Sequence, residues 1–188
     1  FPESHAHSFA LLAYASSLLK RHEPACFLAA LLNAQPLGFY TPAQLVQDAR
    51  RHGVRVLPID VATSDVDCTL EEPLAPVAGV SLAQPAVRLG LRLVAGLGAA
   101  AAERLVQARG SGPFVNSEDL ALRARLDRQD LQALAAADAL RALAGHRRQQ
   151  MWDAAAQLRA PPLLQDAPVH EAAPQLPAAP GGEYIWSD

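Results

Sequence analysis

The sequence predicts a mainly α-helical protein with one short β element, and three observations support this fold class. Hydrophobic residues make up 51% of the chain, and much of that fraction is alanine and leucine, which favour helices. Helix capping and stop signals recur along the chain, whereas strand-like alternation is limited to two short stretches. With 188 residues the chain can form one large domain or two small ones.

Three helices are predicted in the first third of the chain. Ser4 is the predicted N-cap of an amphipathic or largely buried helix that ends at His22, and Pro24 suits the first turn of a second helix. Thr41 caps a third helix, which stops at Gly53. The large apolar residues of this region are predicted to form a core: Phe9, Leu11, Leu12, Tyr14, Leu31, Leu32, Phe39 and Tyr40.

Two stretches near the middle of the chain alternate apolar and polar residues. Residues 54–59 and 86–93 are predicted as strands, and residues 60–84 as a connection rich in proline and acids. The last residues of the second stretch could instead coil into a short helix that leads to Gly96, and this alternative stays open.

Five short helices joined by tight turns are predicted after this point. The helical pattern runs over residues 98–109, and Ser117 and Asp127 are predicted caps of the next two helices. Two more short helices are expected around residues 138–143 and after Gly145. Residues 160–188 carry six prolines and few large apolar residues, which is typical of a linker.

The charge distribution divides the chain in the same way. Net charge is −3 over residues 1–87, +4 over residues 88–159 and −4 over residues 160–188. Only the middle block suits an anionic partner, and the overall charge of −3 argues against a protein that coats nucleic acid uniformly. We predict three segments: 1–85, 86–159 and the linker that starts at residue 160.

Several protein classes are disfavoured by what the sequence lacks. It has no apolar run long enough to cross a membrane and no secretory signal pattern. Cys26 and Cys68 match no metal-ligand or C-x-x-C spacing, so we expect free thiols and a cytoplasmic protein. The chain opens inside patterned sequence without a methionine, and we expect it to be a piece of a longer protein.

Gly96-Leu97-Gly98 opens the fourth predicted helix and is the strongest candidate site. Unpaired amides at a helix N-terminus suit phosphate oxygens, and glycines allow the backbone to approach an anion closely. A third glycine and a following Gly-Lys-Ser/Thr are missing, which argues against a mononucleotide site. The small residue Ala99 and nearby arginines such as Arg104 favour a continuous phosphodiester backbone.

The pattern hydrophobic-x-Gly-hydrophobic-Gly is typical of the helix-hairpin-helix, a DNA-backbone binder that does not read sequence. Residues 130–148 resemble a second, degenerate copy, with Ala135 to Ala137 at its predicted turn and Asp138 placing a carboxylate where a phosphate would bind. We expect this second copy to have a structural role and leave its DNA contacts to three residues: His146, Arg147 and Arg148.

Several longer phrases carry a family resemblance. FPESHA, FALLAYASSLLK, LLNAQPLGFY, SDVDCTLE and VRLGLRLVAGLG follow one another in this order. Together they resemble the fingers segment of the error-prone, ImuC-type branch of the bacterial C-family DNA polymerases, relatives of the α subunit of DNA polymerase III. The resemblance covers the whole chain and implies the C-terminal part of the fingers, a tandem helix-hairpin-helix and a linker toward an OB-type domain.

The resemblance also implies a function and its partners. It implies a fragment of a translesion DNA polymerase that binds duplex DNA and contributes fingers elements to the nucleotide pocket, where Ser4 and His5 would meet the incoming nucleotide. Relatives on the replicative branch have a lysine at the position of Glu3. Other implied partners are the palm and remaining domains of the same polymerase, accessory damage-tolerance proteins and the sliding clamp, with no membrane.

Catalytic groups are expected outside this fragment. Polymerases need carboxylates that bind two metal ions, and in the family these acids lie on the palm, upstream of Phe1. Asp65 and Asp67 match a family motif beyond the fingers and not a metal pair. We therefore expect no cofactor and no catalytic residue in the fragment, with Mg²⁺ in the full-length polymerase.

Two other classes of function remain. One is a protein-interaction scaffold of the polymerase with negligible DNA binding, which the net acidic charge and the degenerate second hairpin favour. The other is a free-standing enzyme acting on small nucleotides, for which we expect neither binding nor turnover.

Overall fold

The computed structural model describes residues 3–72, 84–156 and 174–177, and the prediction of a mainly α fold with a short β element is confirmed. The chain divides into two compact units. Unit 1 takes in Phe1–Pro58 and Asp67–Leu93, and unit 2 takes in Ile59–Val66 and Val94–Asp188. Among the described residues, no helix has the length and apolar character needed to cross a membrane.

Unit 1 opens with the three predicted helices: α1 (Glu3–His22), α2 (Pro24–Asn33) and α3 (Pro42–Arg51). Thr41 caps α3 as predicted, since its hydroxyl accepts from the Gln44 amide while the Gln44 side chain accepts from the Thr41 amide. The start of α1 differs from the prediction. The helix begins at Glu3, so Ser4 lies inside its first turn.

The core prediction is wrong for α1. No residue of this helix is buried, and Phe39 after α2 is 93% exposed. The core of unit 1 instead contains Leu28 and Leu32 of α2, and Leu31 is half-buried. The predicted core residues that the structure leaves exposed are Phe9, Leu11, Leu12, Tyr14, Phe39 and Tyr40.

A small sheet completes unit 1, with strands β1 (Val56–Leu57), β2 (Thr69–Glu71) and β3 (Ala86–Arg88) in the order β1-β3-β2. β3 pairs in parallel with β1 and antiparallel with β2. The sequence predicts a loop where β2 lies. The prediction is wrong there because the strand depends on pairing with β3, which is distant in sequence. The second predicted strand stops early and continues as a 3-10 turn over Leu91–Leu93, which confirms the alternative left open above.

Asn33 joins α2 to the segment that carries Cys68. Its side-chain amide donates to the Cys68 carbonyl at 3.0 Å, and its oxygen accepts from the Cys68 amide at 2.8 Å. Cys26 and Cys68 are free thiols, as predicted. Burial raises the pKa of the Cys68 thiol, whose sulfur accepts from the Gly90 amide.

Unit 2 contains the five predicted short helices, which are α4 (Ala99–Arg109), α5 (Ser117–Ala124), α6 (Arg128–Ala136), α7 (Arg141–Ala144) and α8 (Arg147–Ala156). Asp127 caps α6 as predicted, whereas the cap of α5 is Asn116 and not Ser117. Leucines of α4, α5 and α6, together with the residue just before α7, form the core: Leu105, Leu120, Leu131, Leu134 and Leu140.

The division into units places the boundary differently from the predicted segments. Residues 59–66 belong to unit 2, partly because the Val61 amide donates to the Ala139 carbonyl at 3.0 Å. The predicted limits at residues 85 and 159 stay a prediction, and of the predicted linker only residues 174–177 lie within the described part.

Candidate nucleic-acid interface

The turn before α4 has the backbone shape that the hairpin pattern requires. Gly96 has φ +87°, in a region that favours glycine, and the Leu97 amide donates to the Val94 carbonyl at 3.2 Å. Val94 is buried, and a Cβ on Gly96 would lie 3.6 Å from the Ala133 side chain. The 3.6 Å separation is an ordinary contact, so it is the positive φ that favours glycine at position 96.

Gly98 is glycine for a different reason. It is the N-cap of α4 with φ −71° and ψ 147°, which any residue can adopt, and a Cβ there would meet nothing within 4 Å. Other helices of the same unit use Asn116 and Asp127 as side-chain caps, whereas Gly98 provides none. Nothing in the described fold demands glycine at this position.

The start of α4 presents open backbone amides. The Ala101 and Ala102 amides both donate to the Gly98 carbonyl. The amides of Gly98, Ala99 and Ala100 have no hydrogen-bond partner within the described residues, and all three residues are exposed. Unpaired amides at the positive end of a helix dipole suit an anion such as a phosphate.

The arginines that the sequence places near this turn are engaged elsewhere. Arg104 donates to the carbonyls of Ala124 and Arg125 at 3.0 and 3.2 Å, so it caps the C-terminus of α5. Arg109 pairs with Asp65 at 2.7 Å. In unit 1, Arg88 pairs with Glu71 and Arg92 with Asp67, at 2.7 Å each. Carboxylates therefore balance the charges of Arg88, Arg92 and Arg109, and Arg104 lies 3.9 Å from Asp130, so these arginines give less support for an anion site than the sequence suggests.

Other cations, which the sequence argument did not single out, are exposed in unit 2. Arg125 and Arg128 lie at the turn between α5 and α6, and neither forms a salt bridge within the described part of the chain. Arg125 stands at this turn with φ 51°, and its carbonyl is bound by Arg104 of α4. Sequence alone could not distinguish these two from the paired arginines, because pairing depends on tertiary contacts.

The second hairpin has its turn in a different place from the prediction. Ala135 is fully buried in α6, and Asp138 directs its carboxylate inward to the Gln150 amide at 2.7 Å. The glycine turn lies at Gly145, with φ +70°, between α7 and α8. The signal was readable, since Leu143-Ala144-Gly145-His146 matches the hydrophobic-x-Gly pattern of Val94-Ala95-Gly96-Leu97.

Gln150, which the sequence analysis missed, holds this second turn together. Its side chain is fully buried, donates to the carbonyl of Gly145 at 2.8 Å and accepts from the Leu140 amide at 3.2 Å. Every polar atom of this side chain is therefore bonded, which makes it a fixed part of the turn.

The three residues predicted to contact DNA at the second hairpin lie together at the start of α8. His146 uses both ring nitrogens within the chain, with Nδ1 against the Gln149 amide at 3.3 Å and Nε2 against the Leu176 carbonyl at 2.9 Å. Arg147 is half-buried and has a contact within the chain, and Arg148 is exposed. A phosphate contact by His146 would require the ring to release one of these partners.

Ser4 and His5 lie on the first turn of α1. The Ser4 carbonyl accepts from the Ser8 hydroxyl at 2.9 Å, and the His5 ring packs against Phe9 with 4.4 Å between centroids. A groove of about 460 Å³ in unit 1 lies at the other end of α1, where Lys20 pairs with Asp48. Neither Ser4 nor His5 lines this groove, and their role in nucleotide binding stays a prediction.

Asp65 and Asp67 are each bonded to a different arginine, Asp65 to Arg109 and Asp67 to Arg92. These pairings explain both carboxylates as structural groups. Within the described ranges, no group of three or more histidine, cysteine, aspartate or glutamate residues is arranged to hold a metal ion.

Comparison with known proteins agrees with this geometry. Residues 53–150, just over half of the chain, match the family described as "Helix-hairpin-helix motif". Proteins named error-prone DNA polymerase are similar over the whole chain, with 59% identity in Bordetella parapertussis, 57% in Azoarcus sp. and 53% in Methylococcus capsulatus. The chain spans only 17%, 18% and 19% of these relatives.

Proposed function

Because the chain belongs to the helix-hairpin-helix family, we propose that its first hairpin, Gly96 to Ala99, binds the phosphate backbone of duplex DNA without reading the base sequence. The observation that carries this proposal is Gly98. The fold does not need glycine there, yet the position is open, exposed and flanked by unpaired amides. A side chain at this position would stand where a phosphate oxygen would have to approach.

The same proposal places this chain in a longer protein with polymerase activity. The relatives' name supports an error-prone, DNA-directed DNA polymerase as the longer protein. In it, this chain would provide a DNA-binding surface and part of the fingers. Ser4 and His5 would meet the incoming nucleotide, and Mg²⁺ would be bound by other parts of the polymerase. Asp65 and Asp67 do not fit a pair of metal ligands, because each is bonded to an arginine.

Exposed arginines complete the proposed surface. Arg125, Arg128 and Arg148 are available to phosphates, whereas Arg104 and His146 would reach DNA only by giving up contacts within the chain. Each phosphate contact adds about 0.9 to the slope of log K against log salt concentration, so binding should weaken steeply with salt. Different duplex sequences should bind alike.

The test is an anisotropy titration of a labelled duplex at two salt concentrations. Gly98→Asp places a good helix cap with a negative charge in the path of the phosphate. Hydrogen bonds to a charged group contribute about 1.5–3 kcal/mol, so we expect roughly ten- to hundredfold weaker binding. Equal binding by wild type and Gly98→Asp would contradict the proposal that the first hairpin binds DNA.

A matched control separates the local effect from the change in net charge. Asn116→Asp makes the same charge change at another exposed N-cap of unit 2 and keeps an oxygen that can accept from the Asp119 amide. It should leave duplex binding close to wild type. An equal loss in both variants would mean that net charge, and not the hairpin, controls binding.

A second candidate function is a protein-interaction scaffold. It is favoured by the internal pairing of Arg88, Arg92, Arg104 and Arg109 and by the exposed apolar residues of α1. If wild type fails to bind duplex at low salt and instead captures an accessory damage-tolerance protein, the scaffold replaces the DNA-binding proposal. In the scaffold proposal, contacts of this chain with the palm, with the sliding clamp and with accessory proteins would take the place of DNA contacts.

A further inference from the structure

The described segment Pro174–Pro177 lies against the first turns of α8. Three hydrogen bonds hold its backbone. The Gln149 side chain donates to the Pro174 carbonyl at 3.0 Å and accepts from the Leu176 amide at 2.8 Å, and His146 Nε2 lies 2.9 Å from the Leu176 carbonyl. All of these groups belong to unit 2.

Gln149 bonds this backbone as a neighbouring strand would. The side-chain amide of Gln149 donates to the carbonyl of Pro174 and accepts from the N–H of Leu176. These two backbone groups lie two positions apart, which is the spacing in an extended chain. The second amide hydrogen of Gln149 is directed to Asp153 Oδ1 at 2.8 Å. Both donors and the acceptor are thus used when the segment is docked, and the bond to Asp153, which does not involve the segment, orients the side chain.

His146 has a contact at each ring nitrogen. The backbone N–H of Gln149 donates to Nδ1 at 3.3 Å, so the ring caps α8, and Nε2 lies 2.9 Å from the Leu176 carbonyl oxygen. α4 differs here, because its cap Gly98 has no side chain and leaves the helix end open. The two hairpins of unit 2 therefore present different chemistry at equivalent places.

The docked segment suits such a site. Pro174 and Pro177 have restricted φ angles and no amide hydrogen, and a residue that precedes proline, such as Leu176, prefers an extended backbone. A segment that is already extended loses little conformational entropy on docking. Only the Gln175 and Leu176 amides need partners, and the Leu176 amide receives one from Gln149.

We propose that the second hairpin is a peptide-docking site, in which Gln149 and His146 hold the chain's own Pro174–Pro177 segment in an extended form. The first hairpin keeps open amides for an anion, whereas the second uses its helix start for a backbone ligand. The site holds residues 174–177 against α8 and occupies the His146 ring. This inference is independent of DNA binding at the first hairpin.

The test is hydrogen exchange of the Leu176 amide, measured by NMR on the 188-residue chain. Wild type should show slowed exchange at Leu176. Gln149→Ala should return it to the rate of an unstructured amide, and Gln175→Ala, which alters a side chain with no hydrogen bond in the described residues, should leave it slow. Fast exchange in wild type, or slow exchange in Gln149→Ala, would overturn the proposal.

A second variant guards against loss of folding. His146→Asn can still cap α8 but is too short to reach the Leu176 carbonyl, so Leu176 should exchange faster while the α8 amides stay protected. Duplex DNA added to wild type should leave Leu176 slow, since the segment is not displaced. Release of Leu176 by DNA would mean that the second hairpin binds phosphate instead. Gly98→Asp should change duplex binding without affecting Leu176 exchange.

Discussion

Arg109 of α4 binds Asp65 through a 2.7 Å ion pair, and the same guanidinium donates to the carbonyls of Val61 and Ser64 at 3.2 and 2.7 Å. This one side chain therefore attaches residues 59–66 to the helices of unit 2. Ser64 and Val61 are both fully buried there.

Arg109→Ala should destabilise unit 2 by about 2–3 kcal/mol, because it removes a partly buried charged donor from two carbonyls and a carboxylate. Urea unfolding followed by circular dichroism and tryptophan fluorescence measures the change. Arg148→Ala is the matched control, since Arg148 is exposed and should change stability by no more than about 0.5 kcal/mol. Equal effects would show that the Arg109 contacts contribute nothing.

The two glycines of the first hairpin should respond differently to substitution. Gly96→Ala forces a side chain into a backbone with φ +87° and should cost about 1 kcal/mol or more. Gly98→Ser occupies an open N-cap position with ordinary dihedrals and should be neutral within a few tenths of a kcal/mol. Unfolding of both variants by urea gives the comparison, and a larger loss in Gly98→Ser would contradict it.

The Arg88–Glu71 pair should make the stability of unit 1 depend on pH. The side-chain hydrogen bond from Arg88 is the main cause that lowers the pKa of Glu71 below its ordinary value of 4.5. The unfolded chain therefore takes up this proton first as pH falls. The stabilisation is fully present above pH 4.5 and is lost as pH falls through the lowered folded pKa.

Glu71→Gln should accordingly be less stable than wild type at neutral pH, and the difference should shrink as the solution is made acid. Urea unfolding at several pH values measures it. Glu72→Gln is the control, because the neighbouring Glu72 is exposed and forms no ion pair within the described ranges. A difference that stays constant with pH would exclude the Glu71 carboxylate as its source.

The exposed apolar residues of α1 should promote association without contributing to the stability of the isolated chain. Leu12, which is 61% exposed, lies on a helix with no buried residue. Leu12→Gln should change the free energy of unfolding by less than about 0.5 kcal/mol and reduce binding of a hydrophobic dye. Leu32→Gln, at a fully buried position of α2, should instead destabilise unit 1 strongly.

Local signals were read correctly where a few neighbouring residues decide the structure. The Thr41 capping box, the stop of α3 at Gly53 and the cap at Asp127 depend on hydrogen bonds over three or four positions. The prediction failed for β2, because its residues pair only with β3, about seventeen positions away along the chain. Hydropathy likewise predicts that α1 has many apolar residues. It does not predict whether other parts of this chain bury them.

The site shows the same division between local pattern and tertiary contact. The glycine spacing at Gly96 and Gly98 indicates the first hairpin, and residues 88–159 around it carry a net charge of +4. Counting charges could not show that Arg104 binds the carbonyls of α5 or that Arg109 binds Asp65. Because of these contacts, Arg104 and Arg109 are less available to an anionic partner than the sequence predicts.

By itself the sequence determined the helical class, most helix ends and the place of the first hairpin, because backbone hydrogen bonding within a turn is a local property. Only the tertiary structure decided which cations stay exposed, where the second hairpin turns and which segment covers it. Gly145, Gln150 and Gln149 receive their roles from partners up to 27 residues away. Side-chain hydrogen bonds across such separations exist only once the helices have packed.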